Sequence, residues 1–429
     1  MTYEMHSYTD NQIELEYTCP QQQELDLILE LYRGKLFCHI IKEFINDATK
    51  IFGTKIFSIK KSFPRTLTNL LSSWMFNLYA SDNFNSLIDP FLPNNYNEID
   101  TLRCTLNDLV KYDDSLENAD KLIDSLLVKL QKLFEEQLLL LASYKKSKYY
   151  LDNKNKYNIT KKEFIQQREE TKFTFYKYQI HIKFDIKDKR LNNILDNLLI
   201  PTDEYFKLKK NYKGKESIFN DLIWTILFRY QLLGSNNHQL GVKSNIMSKL
   251  HEDYNLNFEC FASAINSTFP HFCSIYYDIE KYFGSFGSFY NLIPIKGTFG
   301  LNPPYQKDII ENALNKALIS LDEAKKKSLE LTFIITIPIW DEEGKKIMKE
   351  TFNNDLPQQN IDYGDFEIIN KVKNSEFHKV TRMIPKENFT YIDHNFKLFK
   401  NKTIQNTYVI IISSKNDFDT TLLMTYDFS

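Results

Sequence analysis

KGTFGLNPPYQKDII (296–310) is the stretch whose reading decides the fold: an apolar approach, then Asn302-Pro303-Pro304-Tyr305, then a charged run that opens a helix. Two consecutive prolines fix φ and withhold two N–H donors, so the chain leaves the preceding strand in a rigid, extended turn. Such a turn presents acceptors without competing donors. An exocyclic amine on a purine or cytosine ring could donate to the Asn302 side-chain oxygen and the Pro303 carbonyl while the Tyr305 ring stacks on the base. Held by both hydrogens, the amine would have its lone pair drawn out of conjugation and turned toward an electrophilic methyl. That chemistry needs neither a covalent intermediate nor a general base of high pKa. The same four residues also suit a strand-ending turn with a core aromatic, so the flanking chain has to decide.

Downstream, DIIENALNKALISLDEAKKK (308–327) has acids early and lysines late, in line with a helix dipole, and LELTFIITIPIW (329–340) is a β-branched, buried strand. The order strand, turn, helix, strand predicts a parallel βαβ unit, with Asn302 at the carboxyl end of its strand, where open α/β sheets bind ligands. Trp340 ends the second strand at the same rim, followed by Asp341, Glu342 and Glu343. Its indole could stack on a base or a methylated guanine, or fill a hydrophobic edge.

Upstream, FECFASAINSTF (258–269) reads as a buried strand ending in small residues, which let a ligand approach the backbone, although no glycine-rich fingerprint is present. CSIYYDIEKYFGSFGSFYNL (273–292) supplies another strand, then Asp278 and Glu280, then turns at Gly284 and Gly287. Either acid could accept from ribose hydroxyls or be an exposed loop acid.

The 429 residues, 42% hydrophobic, suffice for two domains with sizeable cores. A formal net charge of −2 excludes a polycation, so any nucleic-acid contact must come from local basic patches. Five cysteines form no CxxC pair and have no zinc-type His spacing, so reduced thiols and no metal are expected. No signal peptide or membrane-length apolar run is seen, which predicts an intracellular protein, nuclear or cytoplasmic, without a membrane partner.

The N-terminal half reads as mainly helical. Residues 1–20 are polar and expected to be an irregular arm; helical spacing then runs from Glu24, resumes after Pro64 and dominates 101–143. YKKSKYYLDNKNKYNITKKEF (144–164) interleaves seven lysines with tyrosines, a pattern suited to a phosphate backbone and splayed bases, or to a solvated loop. FTFYKYQIHIKFDI (173–186) reads as a strand, and KLKKNYKGK (207–215) is a second basic cluster. The division is placed between a helical domain, 1–215, and an α/β domain, 216–429. Within the latter, 361–372 and 401–413 are expected strands, the second central and followed by a loose tail.

WTILFRYQLLG (224–234), Gln239, FECFASAIN (258–266), YFGSFGS (282–288), LNPPY (301–305) and TFIITIPIW (332–340) occur together in an order that resembles the phosphorylated-CTD-interacting-factor family. These are cap-specific mRNA adenosine N6-methyltransferases. The resemblance implies a Rossmann-like, S-adenosylmethionine-dependent methyltransferase domain behind a helical RNA- or cap-binding domain, acting on a 2′-O-methyladenosine next to the cap. It places the catalytic motif on Asn302, Pro303, Pro304 and Tyr305, an aromatic standing at the stacking position. It places cofactor binding on Phe261-Ala262-Ser263, on Asp278 or Glu280, on Asn302, and on Gln239 beside the methionine part. Trp340 matches a tryptophan that closes on capped RNA, and Lys307 stands where the family has a substrate-side acid. Arg33 and Arg65 are added as cap contacts of the helical domain, without transfer from the family. The family's WW domain, which binds the phosphorylated polymerase tail, is expected to be absent because no room for it exists before residue 24. Capped mRNA is then the expected partner, with any protein partner unspecified. Two other readings stay open: a DNA adenine N6-methyltransferase, and an inactive RNA-binding scaffold.

Overall fold

The computed structural model describes residues 4–19, 25–59, 63–80, 89–94, 96, 99–110, 118–153, 159–166, 175–182, 194–195, 198–234, 239–352, 366–394, 400–402 and 405–429. Two units are distinguished, Met1–Gln21 with Asn237–Ser429, and Gln22–Asn236. Compared with a single cut at 215/216, the N-terminal residues go with the C-terminal unit, and the helix at Phe219–Leu233 goes with the helical one.

The first residues form a hairpin, not an irregular arm. Strands β1 (Glu4–Thr9) and β2 (Glu14–Cys19) pair antiparallel. Asp10 sets the turn, its Oδ1 accepting from the N–H groups of Gln12 at 2.7 Å and Ile13 at 2.8 Å.

The helical unit contains α1 (Leu27–Ile59), α2 (Phe63–Ala80), α3 (Ile99–Val110), α4 (Ala119–Lys145) and the short α5 (Lys148–Asn153). Asp26 caps α1, its Oδ1 accepting from Ile28 and Leu29, and Pro64 sits in the first turn of α2, where its missing N–H costs nothing. On α4, Ile123, Leu126, Leu127, Leu130, Phe134 and Leu141 are buried at helical spacing. A small antiparallel sheet follows, β3 (Ile159–Gln166), β4 (Phe175–Ile182) and β5 (Leu199–Pro201), then α6 (Thr202–Asn211) and α7 (Phe219–Leu233). The basic 144–164 stretch is thus partly helix and strand. Tyr144 stacks on Tyr32 with centroids 3.8 Å apart, and the Tyr150 hydroxyl donates to Asp26 at 2.6 Å, so these two rings serve packing. Tyr149 is exposed. Lys154, Lys156 and Tyr157 lie outside the described residues.

The second unit resumes with β6 (Leu240–Val242), α8 (Ser244–Tyr254), β7 (Leu256–Glu259), β8 (His271–Phe272) and the single turn α9 (Tyr277–Glu280). Next come β9 (Leu292–Leu301), α10 (Lys307–Lys326), β10 (Leu331–Pro338), α11 (Glu342–Phe352) and α12 (Glu367–Lys373). The last strands are β11 (His378–Ile384), β12 (Tyr391–Asp393), β13 (Lys400–Lys402) and β14 (Thr407–Ser413). An eight-stranded mixed sheet has the order β1-β2-β9-β10-β14-β11, with β7 pairing β8 and β9; β13-β12-β6 form a separate small sheet. Strands β8, β7, β9 and β10 run parallel, and β14 is antiparallel to β10 and β11. The expected βαβ unit is therefore β9-α10-β10. Alternation along β10 splits the core, Phe333, Ile335 and Ile337 entering one hydrophobic layer and Ile334 the other.

Three other expectations change. Residues 367–372 are helix α12 because Ile368, Ile369 and Val372 fall on one helical face, all buried; 361–365 lie outside the described residues. The strand expected from Cys273 ends at Phe272, so Asp278 and Glu280 sit on α9. The tail is not loose: Leu423, Tyr426 and Phe428 are buried in the layer around Ile334 and Val409.

Candidate active site

Strand β9 ends where its register with β10 ends, Leu301 opposite Ile335, and Asn302-Pro303-Pro304-Tyr305 follows at the carboxyl end of the parallel strands. With two prolines in succession, the only N–H groups of the turn are those of Asn302 and Tyr305. The Pro304 carbonyl takes the Gln306 N–H at 2.7 Å. Neither the Asn302 amide nor the Pro303 carbonyl is hydrogen-bonded to a described residue. Among the described residues, two acceptors thus stand adjacent without a partner at the rim of the sheet.

Behind them, Asn302, Phe261, Glu259, Gly300 and Thr336 border a void of about 20 Å³. That volume suits a water and not a nucleoside. A larger cavity of about 460 Å³ lies at the other ends of the strands, bordered by Lys296, Gly297, Thr298, Glu330 and Thr332. Volume alone would point there, yet the acceptors without a partner among the described residues are at the Asn302 end.

The loop after β7 is held from several sides. The Ala262 N–H donates to the Cys273 carbonyl at 2.9 Å, and the Cys260 N–H to the Gly300 carbonyl at 2.8 Å. Buried Ser263 donates through Oγ to the Gln239 Oε1 at 2.7 Å, while its N–H donates to the Asn266 Oδ1 at 2.6 Å. Glu280, wholly buried, accepts the Ala264 N–H at 2.7 Å. The Phe261-Ala262-Ser263 segment, Gln239 and Glu280 therefore come together. Ser263 and Glu280 are braces of the loop, and the expectation that Glu280 meets a ribose is corrected by its burial. Asp278 is half-buried on α9.

On the opposite side stands an aromatic wall. The Tyr305 ring meets Trp340 edge-on with centroids 6.2 Å apart, and Trp340 meets Phe366 at 5.6 Å. The indole is 7% exposed, with Nε1 donating to the Gln405 Oε1 at 3.3 Å, so it is a wall of the site and not an open stacking plate. Asp341 anchors the chain just after it, accepting from the Tyr408 hydroxyl and Lys373 Nζ, each at 2.8 Å. The Tyr305 hydroxyl is hydrogen-bonded to that of Tyr391. Burial, and then the Tyr391 hydroxyl, push the Tyr305 phenol well above its ordinary pKa. Burial raises Tyr391 to about 12, so both phenols are neutral at physiological pH.

Lys307 is exposed at the start of α10, its ammonium 5.8 Å from the Phe366 ring centre. Arg33 does not serve a ligand: 4% exposed, it is bound to Glu30 at 2.8 Å and Asp89 at 2.6 Å inside the helical unit. Arg65 lies on α2, and its side chain is outside what the structure describes. Asn266, Tyr391, Gln405 and Thr407 escaped the sequence reading. Asn266 sits within FECFASAIN, three residues past Ser263, and that spacing was its available signal. Among the described residues no cluster of metal-ligating side chains occurs, and no helix is long and apolar enough to cross a membrane.

Parallel strands with a loop and the Asn-Pro-Pro-Tyr turn at their carboxyl ends define a Rossmann-like α/β fold. The model of the family described as "Phosphorylated CTD interacting factor 1 WW domain" matches residues 202–357. The chain is 32% identical over 128 residues to the mRNA (2'-O-methyladenosine-N(6)-)-methyltransferase of Mus musculus, covering 28% of this chain and 17% of that protein. It is 30% identical over 126 residues to the Homo sapiens protein of the same name, covering 28% of this chain and 18% of that one. The matches thus span under a fifth of these relatives' length. Their names imply a methyl donor. The matched span 202–357 holds each expected site residue except Arg33 and Arg65. It also corrects two expectations: the WW domain was sought before residue 24 and taken as absent, whereas the match lies at 202–357, which overturns that absence and the exclusion of WW-type binding drawn from it.

Proposed function

We propose that this chain is an S-adenosylmethionine-dependent adenosine N6-methyltransferase acting on the cap-adjacent adenosine of capped mRNA. The observation that carries the reading is the acceptor pair that no described residue occupies, the Asn302 amide oxygen and the Pro303 carbonyl, beside the Tyr305 ring at the carboxyl end of β9. The names of the mouse and human relatives support it. The donor set fits the cofactor: the braced 260–267 loop, with Phe261 and Ala262 partly exposed, would hold S-adenosylmethionine next to Asn302. When bound, that group supplies an electrophilic methyl.

The protein's part is orientation. Asn302 and Pro303 accept the two amine hydrogens and tilt the lone pair toward the donor, and Tyr305 holds the base plane. Neutral phenols at Tyr305 and Tyr391 keep a negative charge away from the base.

The test is methyl transfer from labelled S-adenosylmethionine to a short RNA beginning with adenosine, capped or uncapped, with nuclease digestion to locate the label. Label in N6-methylated cap-adjacent adenosine is expected. Asn302→Ala should lower the rate on the order of a hundredfold, as for loss of a preorganised hydrogen bond. Label confined to DNA or internal adenines would overturn the substrate, and no cofactor binding by calorimetry would overturn the reaction.

A further inference from the structure

Three side chains outside the sequence motif, Tyr391, Gln405 and Thr407, hold the aromatic wall through hydrogen bonds. Thr407 Oγ1 donates to the Gln405 carbonyl at 3.1 Å. Its oxygen is then open to accept from the Tyr391 hydroxyl, 3.2 Å away, and Tyr391 in turn accepts from Tyr305. Gln405 also takes the Trp340 Nε1–H on its side chain. The Tyr305 and Trp340 rings of the wall are therefore referred to one short segment, 405–407, which runs into the fully buried β14.

We propose that Tyr391 is a positioning residue that fixes the Tyr305 ring for base stacking, with Gln405 and Thr407 anchoring the relay; the assignment rests on the adenosine reading above. Tyr391 is fully buried on β12, a strand paired on both sides by β6 and β13, so its hydroxyl is a fixed reference point. Among the described residues it is the hydrogen-bond partner of the Tyr305 hydroxyl. A buried hydroxyl deprived of its partner must find water or turn, whereas removing both partners leaves nothing unsatisfied.

This predicts an epistatic pattern that simple loss of packing would not give. Tyr391→Phe strands the Tyr305 hydroxyl and should lower kcat for methyl transfer roughly tenfold, the size of a lost buried hydrogen bond. Tyr305→Phe leaves Tyr391 still donating to Thr407 and should be milder. The double variant should return to about the level of Tyr305→Phe, because the two residues act as one unit.

The experiment places 2-aminopurine as the first nucleotide of a short capped RNA and follows quenching of its fluorescence on the full-length chain. Transfer to the matching adenosine RNA, the melting temperature and calorimetric cofactor affinity are measured for the same proteins. Quenching that is lost in Tyr391→Phe and regained in the double variant, at unchanged cofactor affinity, supports the proposal. Unchanged quenching in Tyr391→Phe, a double variant as impaired as Tyr391→Phe, or no quenching by the unaltered protein overturns it. The expected quenching pattern without methyl transfer would leave the positioning role standing and overturn the reaction instead.

Discussion

Glu30 shows how much a single residue commits in this protein. It is 1% exposed, accepts from Arg33 and from Arg229, each at 2.8 Å, and Arg33 binds Asp89 on its other side. Burial pushes its carboxyl up, but Arg229 and Arg33 outweigh burial and hold the pKa below its ordinary 4.5. A depressed folded-state pKa gives stability that is present above the unfolded value and lost as pH falls through the folded one. The helical unit should therefore weaken below about pH 4.5, and Glu30→Gln should cost about 3–5 kcal/mol in denaturant titration by leaving buried guanidinium charge uncompensated. Sequence could not assign Arg33 correctly for the same reason. An arginine on a helix reads alike whether it awaits phosphate or neutralises Glu30 and Asp89, and Asp89 is a long-range neighbour. The turn at Asn302, by contrast, was legible as a strand-ending turn because its chemistry is local: two prolines remove the donors wherever the chain goes.

Among the elements, β9 bears most of the organisation, pairing with β10 on one side and with β2 and then β7 on the other. The changeover falls at Gly297, with φ +114, where an added Cβ would stand 2.6 Å from the Gln12 carbonyl oxygen and against Ile13. Gly297→Ala should destabilise by roughly 1–3 kcal/mol, read from the denaturation midpoint, because the backbone itself would have to move. The βαβ unit was legible since 308–327 has its acids early and its lysines late, as a helix dipole favours, and 329–340 is a continuous β-branched apolar run. The 361–372 segment was misread because a short apolar cluster, Ile368, Ile369 and Val372, fits either period. Hairpin β1-β2 was missed because its polar residues gain their place from β9, a partner far along the sequence. Tyr391 stayed invisible likewise, since nothing local shows that its hydroxyl meets Tyr305.

For the whole molecule, the two units place different demands on the chain. In the unit that holds the candidate site, Leu423, Tyr426 and Phe428 close the layer that includes Tyr254 and Tyr391. The Tyr426 hydroxyl donates to Asp253 at 2.5 Å, and the Tyr254 hydroxyl accepts the Leu423 N–H at 2.8 Å. Ending the chain after Thr421 should lower the melting temperature of this unit and the helical unit should be spared, which hydrogen exchange can resolve. The same unit is discontinuous: its hairpin is made of the first residues, while the strand it pairs with spans Leu292–Leu301. At roughly 5–20 residues per second of synthesis, β2 waits on the order of tens of seconds for β9 to leave the ribosome. The helical unit emerges whole in that interval, so it can be complete before the eight-stranded sheet begins to assemble, and the nascent hairpin waits without its partner strand until then.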